Sequence, residues 1–238
     1  MTSPHIKISQ QGPVATLTIN RPEKDNAVDA TMMSAIIEAL RRLNATKDAR
    51  ILLLRGAGEH FCGGRDPGGA KPKNPTEGSQ MLGQIVETNQ SLAAFPGITI
   101  ALGKGKVHGF GFGIAVQSDI TLAAEDSRFG FPEIKAGFPP TVVMSYLSRW
   151  TARKKAFELV ITGDEIGARE ARELGLVNRI VPSGELDAEG EKWSKRLLRL
   201  DADALRACKA FFRDTAHLHP DDAYRYGISL LANFNASR

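Results

Sequence analysis

The chain has 238 residues, of which 42% are hydrophobic, and a formal net charge of +4. This composition is typical of a globular protein with one large core, or a core with a small appended subdomain. No apolar run approaches the roughly 18 residues of a membrane span, and the N-terminal MTSPHIKISQQG lacks the apolar segment of a signal peptide. We therefore expect a cytoplasmic protein that does not enter membranes.

Several other classes of function are also disfavoured. Cys62 and Cys208 lie far apart in sequence, which favours neither a disulfide framework nor a zinc site. Basic residues mostly alternate with acidic ones, as in EKWSKRLLRLDADALRACK, a pattern typical of solvated helix faces. No histidine cluster has metal-ligand spacing. We expect no metal and no nucleic-acid partner.

The first third of the chain predicts strands around one helix. HIKISQQGPVATLTINR alternates apolar and polar residues about Gly12, which indicates a β-hairpin. Asp29 is placed to cap a helix, whose apolar residues recur at helical spacing: Met33, Ile36, Ile37, Leu40 and Leu43. ARILLLRG then predicts a buried strand that ends at Gly56.

The rest of the chain predicts further strands and then helices. Residues 56–79 are rich in glycine and proline and predict a long, functional loop. After this loop we predict a helix in MLGQIVETNQSLAAF, a strand in ITIALG, a short buried helix in GFGIAVQS and a strand with a turn in ITLAAEDSRFG. Helical periodicity then dominates, in TVVMSYLSRW, ARKKAFELVITG, GAREARELG and from Leu186 to about Phe212, with a short strand in VNRIVP. This order indicates an α/β fold with a helical C-terminal portion.

Five glycines lie between residues 103 and 113, just before a buried segment. The pattern is not the dinucleotide fingerprint G-x-G-x-x-G, because Ile114 stands where the last glycine belongs. A helix that begins near residue 110 would instead present N–H groups without partners. Gly63 and Gly64 follow another buried strand, so two loops could offer two N–H groups to one oxygen, as in an oxyanion hole. Tight backbone packing is the alternative explanation for these glycines.

Four blocks of the chain resemble, in order, those of the crotonase or enoyl-CoA hydratase/isomerase superfamily. They are INRPEKDNAVD, GAGEHFCGGRD, GKVHGFGFGIAVQSDITLAAEDSRFGFPEIKAGFPP and GDEIGAREARELGLVNRIVP. The resemblance implies a spiral of ββα units over residues 1–185 that holds the acyl-CoA site, and a helical region over 186–238 that serves trimerisation. It also implies a coenzyme A thioester substrate, no further cofactor, and a homotrimer or a dimer of trimers. Members usually continue with a helix after the region matching ISLLANFNASR, so we expect the lid over the adenine to be truncated or replaced.

The resemblance also assigns catalytic groups. The two oxyanion donors fall on the backbone N–H groups of Arg65 and Phe110, whose side chains are larger than those usual in the family. Of the two glutamates that hold water in the family's hydratases, one matches Glu133 and the other falls on Gly113. We therefore expect a hydratase/isomerase that uses Glu133 alone, with isomerisation or a lyase reaction favoured, and we expect a glutamate to be tolerated at 113 where there is room. The alternatives are another crotonase reaction (decarboxylase, lyase or thioester hydrolase) or a non-catalytic CoA- or RNA-binding protein.

The resemblance places the substrate along the same loops. Lys24 is the candidate for the nucleotide phosphates, although the basic residue of the family can stand where this chain has Glu23. We expect Asp66 mainly to order its loop, and His60 and His108 to be packing or solvent-facing residues. The residues expected to contact substrate are Lys24, Ala27, Gly63, Gly64, Arg65, Asp66, Pro67, Gly68, Gly109, Gly111 and Gly113.

Overall fold

The computed structural model describes residues 3–66, 68 and 72–236. Within them, one six-stranded sheet forms the centre of the fold. Its strands, in spatial order, are β1 (Ile6–Gln11), β2 (Val14–Ile19), β3 (Ile51–Gly56), β4 (Ile98–Gly103), β6 (Ile120–Ala124) and β9 (Arg179–Val181). The β1–β2 pair is antiparallel, as the hairpin pattern predicts, and the other neighbours are parallel.

A second, smaller sheet contains β5 (Lys106–His108), β7 (Arg128–Gly130) and β8 (Ile166–Gly167). Strands β5 and β7 each follow directly on a strand of the large sheet, and an isolated bridge pairs Cys62 with Val107 beside them. Successive turns of the chain therefore place one strand in the large sheet and a short extended segment beside the small one. This repeat has the form of the predicted ββα spiral.

Helices follow the strands and then make up the C-terminal part of the chain. Those in the described residues are α1 (Ala30–Thr46), α2 (Pro75–Ala93), α3 (Phe110–Gln117), α4 (Thr141–Met144), α5 (Arg153–Thr162), α6 (Ala168–Glu173), α7 (Leu186–Leu198), α8 (Ala202–Thr215) and α9 (Pro220–Ala236). Four 3₁₀ helices cover Pro22–Lys24, Pro132–Ala136, Leu147–Arg149 and Ser183–Glu185. Among all the residues that the structure describes, no helix is both long and apolar enough to cross a membrane.

The hydrophobic core lies on both faces of the large sheet, because side chains alternate between the faces along each strand. In β3, Leu52 and Leu54 join the larger cluster, with α1 and α3, whereas Ile51 and Leu53 join a smaller one. The smaller cluster also contains Leu186 and Leu197 of α7, as well as Ile98, Ile100 and Leu102 of β4. Helix α7 thus covers the face of the sheet that α1 leaves free.

A partly buried ion pair attaches α8 to this sheet. The Lys209 ammonium donates to Asp119 Oδ2 at 2.7 Å and to the Gly97 carbonyl at 2.9 Å. The same Asp119 oxygen accepts from the Thr99 N–H and hydroxyl, both at 2.8 Å. Burial lowers the pKa of Lys209, and the Asp119 charge opposes that effect. Asp119 therefore has a structural role.

Two sequence-based predictions of secondary structure are wrong in detail. Helix α2 begins at Pro75, inside the predicted loop 56–79, where the Asn74 side chain caps it by accepting from the Glu77 N–H at 2.9 Å. The predicted helix TVVMSYLSRW is instead two short pieces, α4 and the 3₁₀ helix Leu147–Arg149. Tyr146, at the break between the pieces, is buried.

Candidate active site

The N-terminus of α3 supplies the first part of the site. Gly109 precedes the helix with φ +50° and ψ −116°, a backbone conformation that glycine adopts readily. Its N–H donates to the Gly130 carbonyl at 2.9 Å, which joins the start of α3 to the small sheet. Phe110 is the first helical residue, so its N–H has no partner within the helix. The Phe110 side chain is 5% exposed and packs in the core.

The loop after β3 supplies the second part. Val28 forms both hydrogen bonds of a short parallel bridge, since its N–H donates to the Gly64 carbonyl and its own carbonyl accepts from Asp66, each at 2.9 Å. The N–H of Arg65 therefore points away from Val28. Gly64 has φ +109°, and a Cβ there would lie 3.6 Å from the His108 carbonyl oxygen. The Arg65 loop and the start of α3 are thus neighbours.

A buried thiol joins these two loops. The Cys62 sulfur accepts from the Gly64 N–H at 3.4 Å and also from the Gly111 N–H. Burial raises the pKa of Cys62 to about 12, so the thiol is neutral and unreactive at neutral pH. A Cβ on Gly111 would lie 2.5 Å from Cys62 Cβ, which explains the need for glycine at 111. This role of Cys62 is not evident from the sequence.

Glu133 brings a carboxylate to the same place. It lies in the 3₁₀ helix Pro132–Ala136, and its Oε1 occupies the space that a Cβ on Gly109 would need. Its Oε2 is buried without a hydrogen-bond partner in the described structure. Burial raises the pKa of Glu133 above its usual value. A largely buried carboxylate that lies against Gly109, with one oxygen that has no hydrogen-bond partner in the described residues, is a candidate for proton transfer.

Tyr146 also belongs to this site, although no sequence pattern indicates it. Its hydroxyl oxygen would lie 2.6 Å from a Cβ on Gly113, so the structure leaves no free space for a glutamate at that position. The Asn89 side chain of α2 hydrogen-bonds the Tyr146 hydroxyl. Burial raises the pKa of Tyr146, and the nearby Glu133 charge adds to that effect. Tyr146 is therefore a neutral phenol beside Glu133.

The remaining predicted contact residues lie along the outer edge of these loops. Asp66 accepts from the Gly68 N–H at 2.9 Å and pairs with Arg21 at 2.9 Å. These bonds, the Gly68 bond above all, lower the pKa of Asp66, and they give it the predicted loop-ordering contacts. Arg21 also donates to the Ala27 carbonyl at 3.2 Å. Lys24 is exposed nearby, at the end of the 3₁₀ helix Pro22–Lys24.

Two other predicted positions have different surroundings. Gly63 packs on Asp25, since a Cβ there would lie 3.1 Å from Asp25 Cβ. Gly68 has φ +63° and is exposed. Pro67 lies outside the described residues.

The two flanking histidines each lie close to an acidic side chain other than Glu133. The His60 ring lies 3.5 Å from Asp25, which also binds the Lys106 ammonium at 2.6 Å. The His108 ring is 8% exposed and lies 3.1 Å from the Glu165 carboxylate. Burial is the main cause that lowers the pKa of His108. In the described part of the chain, no three His, Cys, Asp or Glu side chains are placed to hold a metal ion.

Comparison with known proteins gives a consistent result. The sequence profile of the family enoyl-CoA hydratase/isomerase matches residues 9–236. The chain is 30% identical over 217 residues to a hydroxycinnamoyl-CoA hydratase-lyase of Pseudomonas fluorescens, covering 87% of this chain and 78% of that protein. It is 28% identical over 234 residues to a carnitinyl-CoA dehydratase of Salmonella typhi, covering 94% and 86%.

A solved structure agrees with these sequence matches. The enoyl-CoA hydratase of Mycobacterium smegmatis superimposes with a TM-score of 0.92 at 28% identity, covering 97% of this chain and 90% of that chain. The similarity extends over nearly the whole length, and it confirms the predicted crotonase-type α/β fold with its C-terminal helices. The chain belongs to the enoyl-CoA hydratase/isomerase family.

Proposed function

We propose that this protein converts acyl-CoA thioesters through an enolate held by two backbone N–H groups, with Glu133 as the proton carrier. Supporting this, the N–H of Arg65 points away from its bridge partner and the N–H of Phe110 begins a helix. Both can therefore donate to a thioester oxygen, where such donors are worth roughly 3–4 kcal/mol each in the transition state. The helix dipole adds to the stabilisation of negative charge on that oxygen.

The observation that carries this proposal is the position of the Glu133 carboxylate. It lies against Gly109, immediately before Phe110, so a thioester oxygen on the Phe110 N–H brings its C2 atom close to the carboxylate. Glu133 can then take a proton from C4 and return it to C2, which moves the double bond. It can also take a proton from water that attacks C3 and deliver one to C2, which is hydration. Neither reaction requires a further cofactor.

Substrate binding follows the outer edge of the two loops. We place the pantetheine along Arg65 to Gly68 and the nucleotide phosphates near Lys24. Arg21 forms ion pairs with Asp66 at 2.9 Å and with Asp29 at 3.5 Å. These ion pairs connect the segment before α1 to the loop after β3. The glycines in these loops allow a substrate to approach the backbone closely.

An assay with enoyl-CoA substrates of varied chain length tests the proposal. We expect loss of the conjugated-thioester absorbance with wild-type protein. Glu133→Gln should lower kcat by roughly 10²–10⁴, the range of general acid–base catalysis, because the amide cannot carry the proton. Glu158→Gln is the matched control, since Glu158 is an exposed carboxylate on α5 that pairs with Lys155. Undiminished turnover in Glu133→Gln would remove Glu133 from the mechanism.

We also propose that the protein assembles as a homotrimer or a dimer of trimers through its C-terminal helices. Large apolar side chains of α8 and α9 are exposed in the isolated chain: Phe212 at 79%, Tyr224 and Ile228 at 70%, and Leu231 at 60%. A patch of this kind favours burial against another chain. Light scattering coupled to size exclusion tests this, and a monomeric mass at micromolar concentration would contradict it.

A further inference from the structure

The second polar group near the Glu133 carboxylate is the Tyr146 hydroxyl. Tyr146 is 7% exposed, and its hydroxyl oxygen reaches α3 at Gly113. Gly113 is one helical turn after Gly109, and its N–H donates to the Gly109 carbonyl at 2.9 Å. The Glu133 carboxylate lies at Gly109 and the Tyr146 hydroxyl at Gly113. The two groups thus contact the start of α3 at positions four residues apart, roughly one helical turn.

The Tyr146 hydroxyl also contacts Asn89. Asn89 is 8% exposed, and its side chain hydrogen-bonds the Tyr146 hydroxyl. An amide N–H can donate to a phenol oxygen. A phenol can accept and donate at the same time. With the Asn89 amide as the donor, the Tyr146 O–H is free to donate to a substrate oxygen. Since burial raises the pKa of Tyr146, the hydroxyl keeps its proton at neutral pH.

We propose that Tyr146 is a second catalytic residue, which donates a hydrogen bond to the oxygen on C3 of the substrate during water addition or loss. This inference rests on the proposed function, because it takes the thioester oxygen to lie on the Phe110 N–H. With C2 beside Glu133, the next carbon of the acyl chain lies toward Gly113 and the Tyr146 hydroxyl. A neutral phenol at this position selects substrates that carry, or receive, a hydroxyl on C3.

The reaction balances with both side chains unchanged at the end. The water oxygen forms a bond to C3, one water proton passes to Glu133, and the C2=C3 electron pair moves to the thioester oxygen. The enolate then takes the proton from Glu133 at C2. Tyr146 donates to the water oxygen throughout and keeps its own proton. Double-bond migration between C2 and C4 involves no oxygen on C3, so it does not use Tyr146.

Tyr146→Phe tests this role, because it removes only the hydroxyl. Hydration should slow about 10-fold or more, as expected for a lost hydrogen bond to an oxygen that gains charge. Double-bond migration should change by less than about threefold, because it needs only Glu133 and the backbone donors. Tyr226→Phe is the matched control, since that hydroxyl contacts Asp214 on the C-terminal helices, at 3.4 Å. An equal loss of both reactions would indicate a merely structural role and overturn the proposal.

Binding gives a readout that does not depend on turnover. Calorimetry in a Glu133→Gln background compares a 3-hydroxyacyl-CoA with the saturated acyl-CoA of the same length, so that no ligand is consumed. With Tyr146 present, we expect the hydroxyl compound to bind roughly 3–10-fold more tightly, the value of one net hydrogen bond. With Tyr146→Phe, this preference should vanish while the saturated compound binds as before, which also shows that the variant is folded.

The two measurements separate the two proposals. If the wild-type protein neither hydrates nor isomerises enoyl-CoA, the proposed function is wrong, and the binding preference alone decides the role of Tyr146. A preference that Tyr146→Phe abolishes supports the contact even in that case. A preference that Tyr146→Phe leaves unchanged overturns the role of Tyr146, whatever the rates are.

Discussion

The two halves of the candidate site are built in different ways. The half that would hold the thioester oxygen consists of backbone N–H groups, oriented by hydrogen bonds to Val28, Cys62 and Gly130. The half that would face the acyl carbons consists of side chains, Glu133, Tyr146 and Asn89, which come from three separate segments. The backbone half is heavily constrained, whereas Glu133 Oε2 has no hydrogen-bond partner among the residues that the structure describes.

This difference indicates which half would determine the type of reaction, hydration or isomerisation. In the proposed mechanism, only the N–H groups of Arg65 and Phe110 are needed, so these residues can carry unusual side chains, and the fold fixes the direction of those N–H groups. The carboxylate and the phenol would instead determine which carbon gains or loses a proton and whether water takes part. We therefore expect the backbone half to tolerate changes of side chain, and the side-chain half to control the choice between hydration and isomerisation.

The largest effect should follow from a change where the halves meet, Gly109→Ala. A Cβ at 109 would occupy the position of Glu133 Oε1, and φ +50° is unfavourable for alanine. Displacement of the carboxylate should lower kcat by a factor of about 10² or more. Gly12→Ala is the control, because Gly12 has φ +55° but nothing within 4 Å of its Cβ. Urea denaturation should show a loss of stability in both variants. Kinetics should show a loss of turnover only in Gly109→Ala.

A smaller effect is expected from Gly113→Ala, which touches the side-chain half alone. The new Cβ would lie 2.6 Å from the Tyr146 oxygen, so the phenol must move. We expect hydration to fall roughly 10-fold and migration to persist, while the helix gains about 1 kcal/mol from alanine propensity. Gly83→Ala, in α2 with nothing within 4 Å, separates the propensity gain from the shift of Tyr146. An unchanged product ratio in Gly113→Ala would mean that Tyr146 does not face the substrate.

The sequence predicts the backbone half better than the side-chain half, for physical reasons. Apolar alternation in ARILLLRG and ITIALG predicts the central strands, and glycines after them indicate close backbone approach. Strands β5, β7 and β8 have only two or three residues, too few for a periodic pattern. The start of α2 did carry a signal, with Asn74 before Pro75 and an acid in the first turn.

Tyr146 could not be found from the sequence in the same way. Its position depends on how α4 breaks and on where α2 packs, both of which are tertiary features. The family resemblance indicates a missing glutamate at Gly113 but not which side chain fills the space. A role for Cys62 between the two loops is equally a matter of three-dimensional packing.

We expect the charged Glu133 carboxylate to lower the stability of the folded protein at neutral pH. Burial raises its pKa above the ordinary 4.5, so the folded state binds the proton more tightly than the unfolded state. Glu133 therefore contributes stability that is fully present below pH 4.5 and is lost as pH rises through the folded-state pKa. Urea denaturation should show Glu133→Gln about 1 kcal/mol more stable than wild type at neutral pH, with the difference fading in acid. A stability difference that stays constant across this pH range would contradict the prediction. So would a Glu133→Gln variant that is no more stable at neutral pH than Glu158→Gln.

The smallest effect should be at Lys24, at the outer edge of the backbone half. Lys24 is exposed, so its proposed contact with a phosphate is screened by solvent and is worth at most about 1 kcal/mol. Lys24→Ala should therefore raise KM for a CoA thioester by about two- to fivefold, leave kcat unchanged and lose its effect at high salt. The same acyl group on pantetheine, which lacks the nucleotide, should show no change. Lys154→Ala, an exposed lysine at the start of α5, is the control. An equal rise in KM for the pantetheine thioester would place Lys24 near the acyl chain rather than the phosphates.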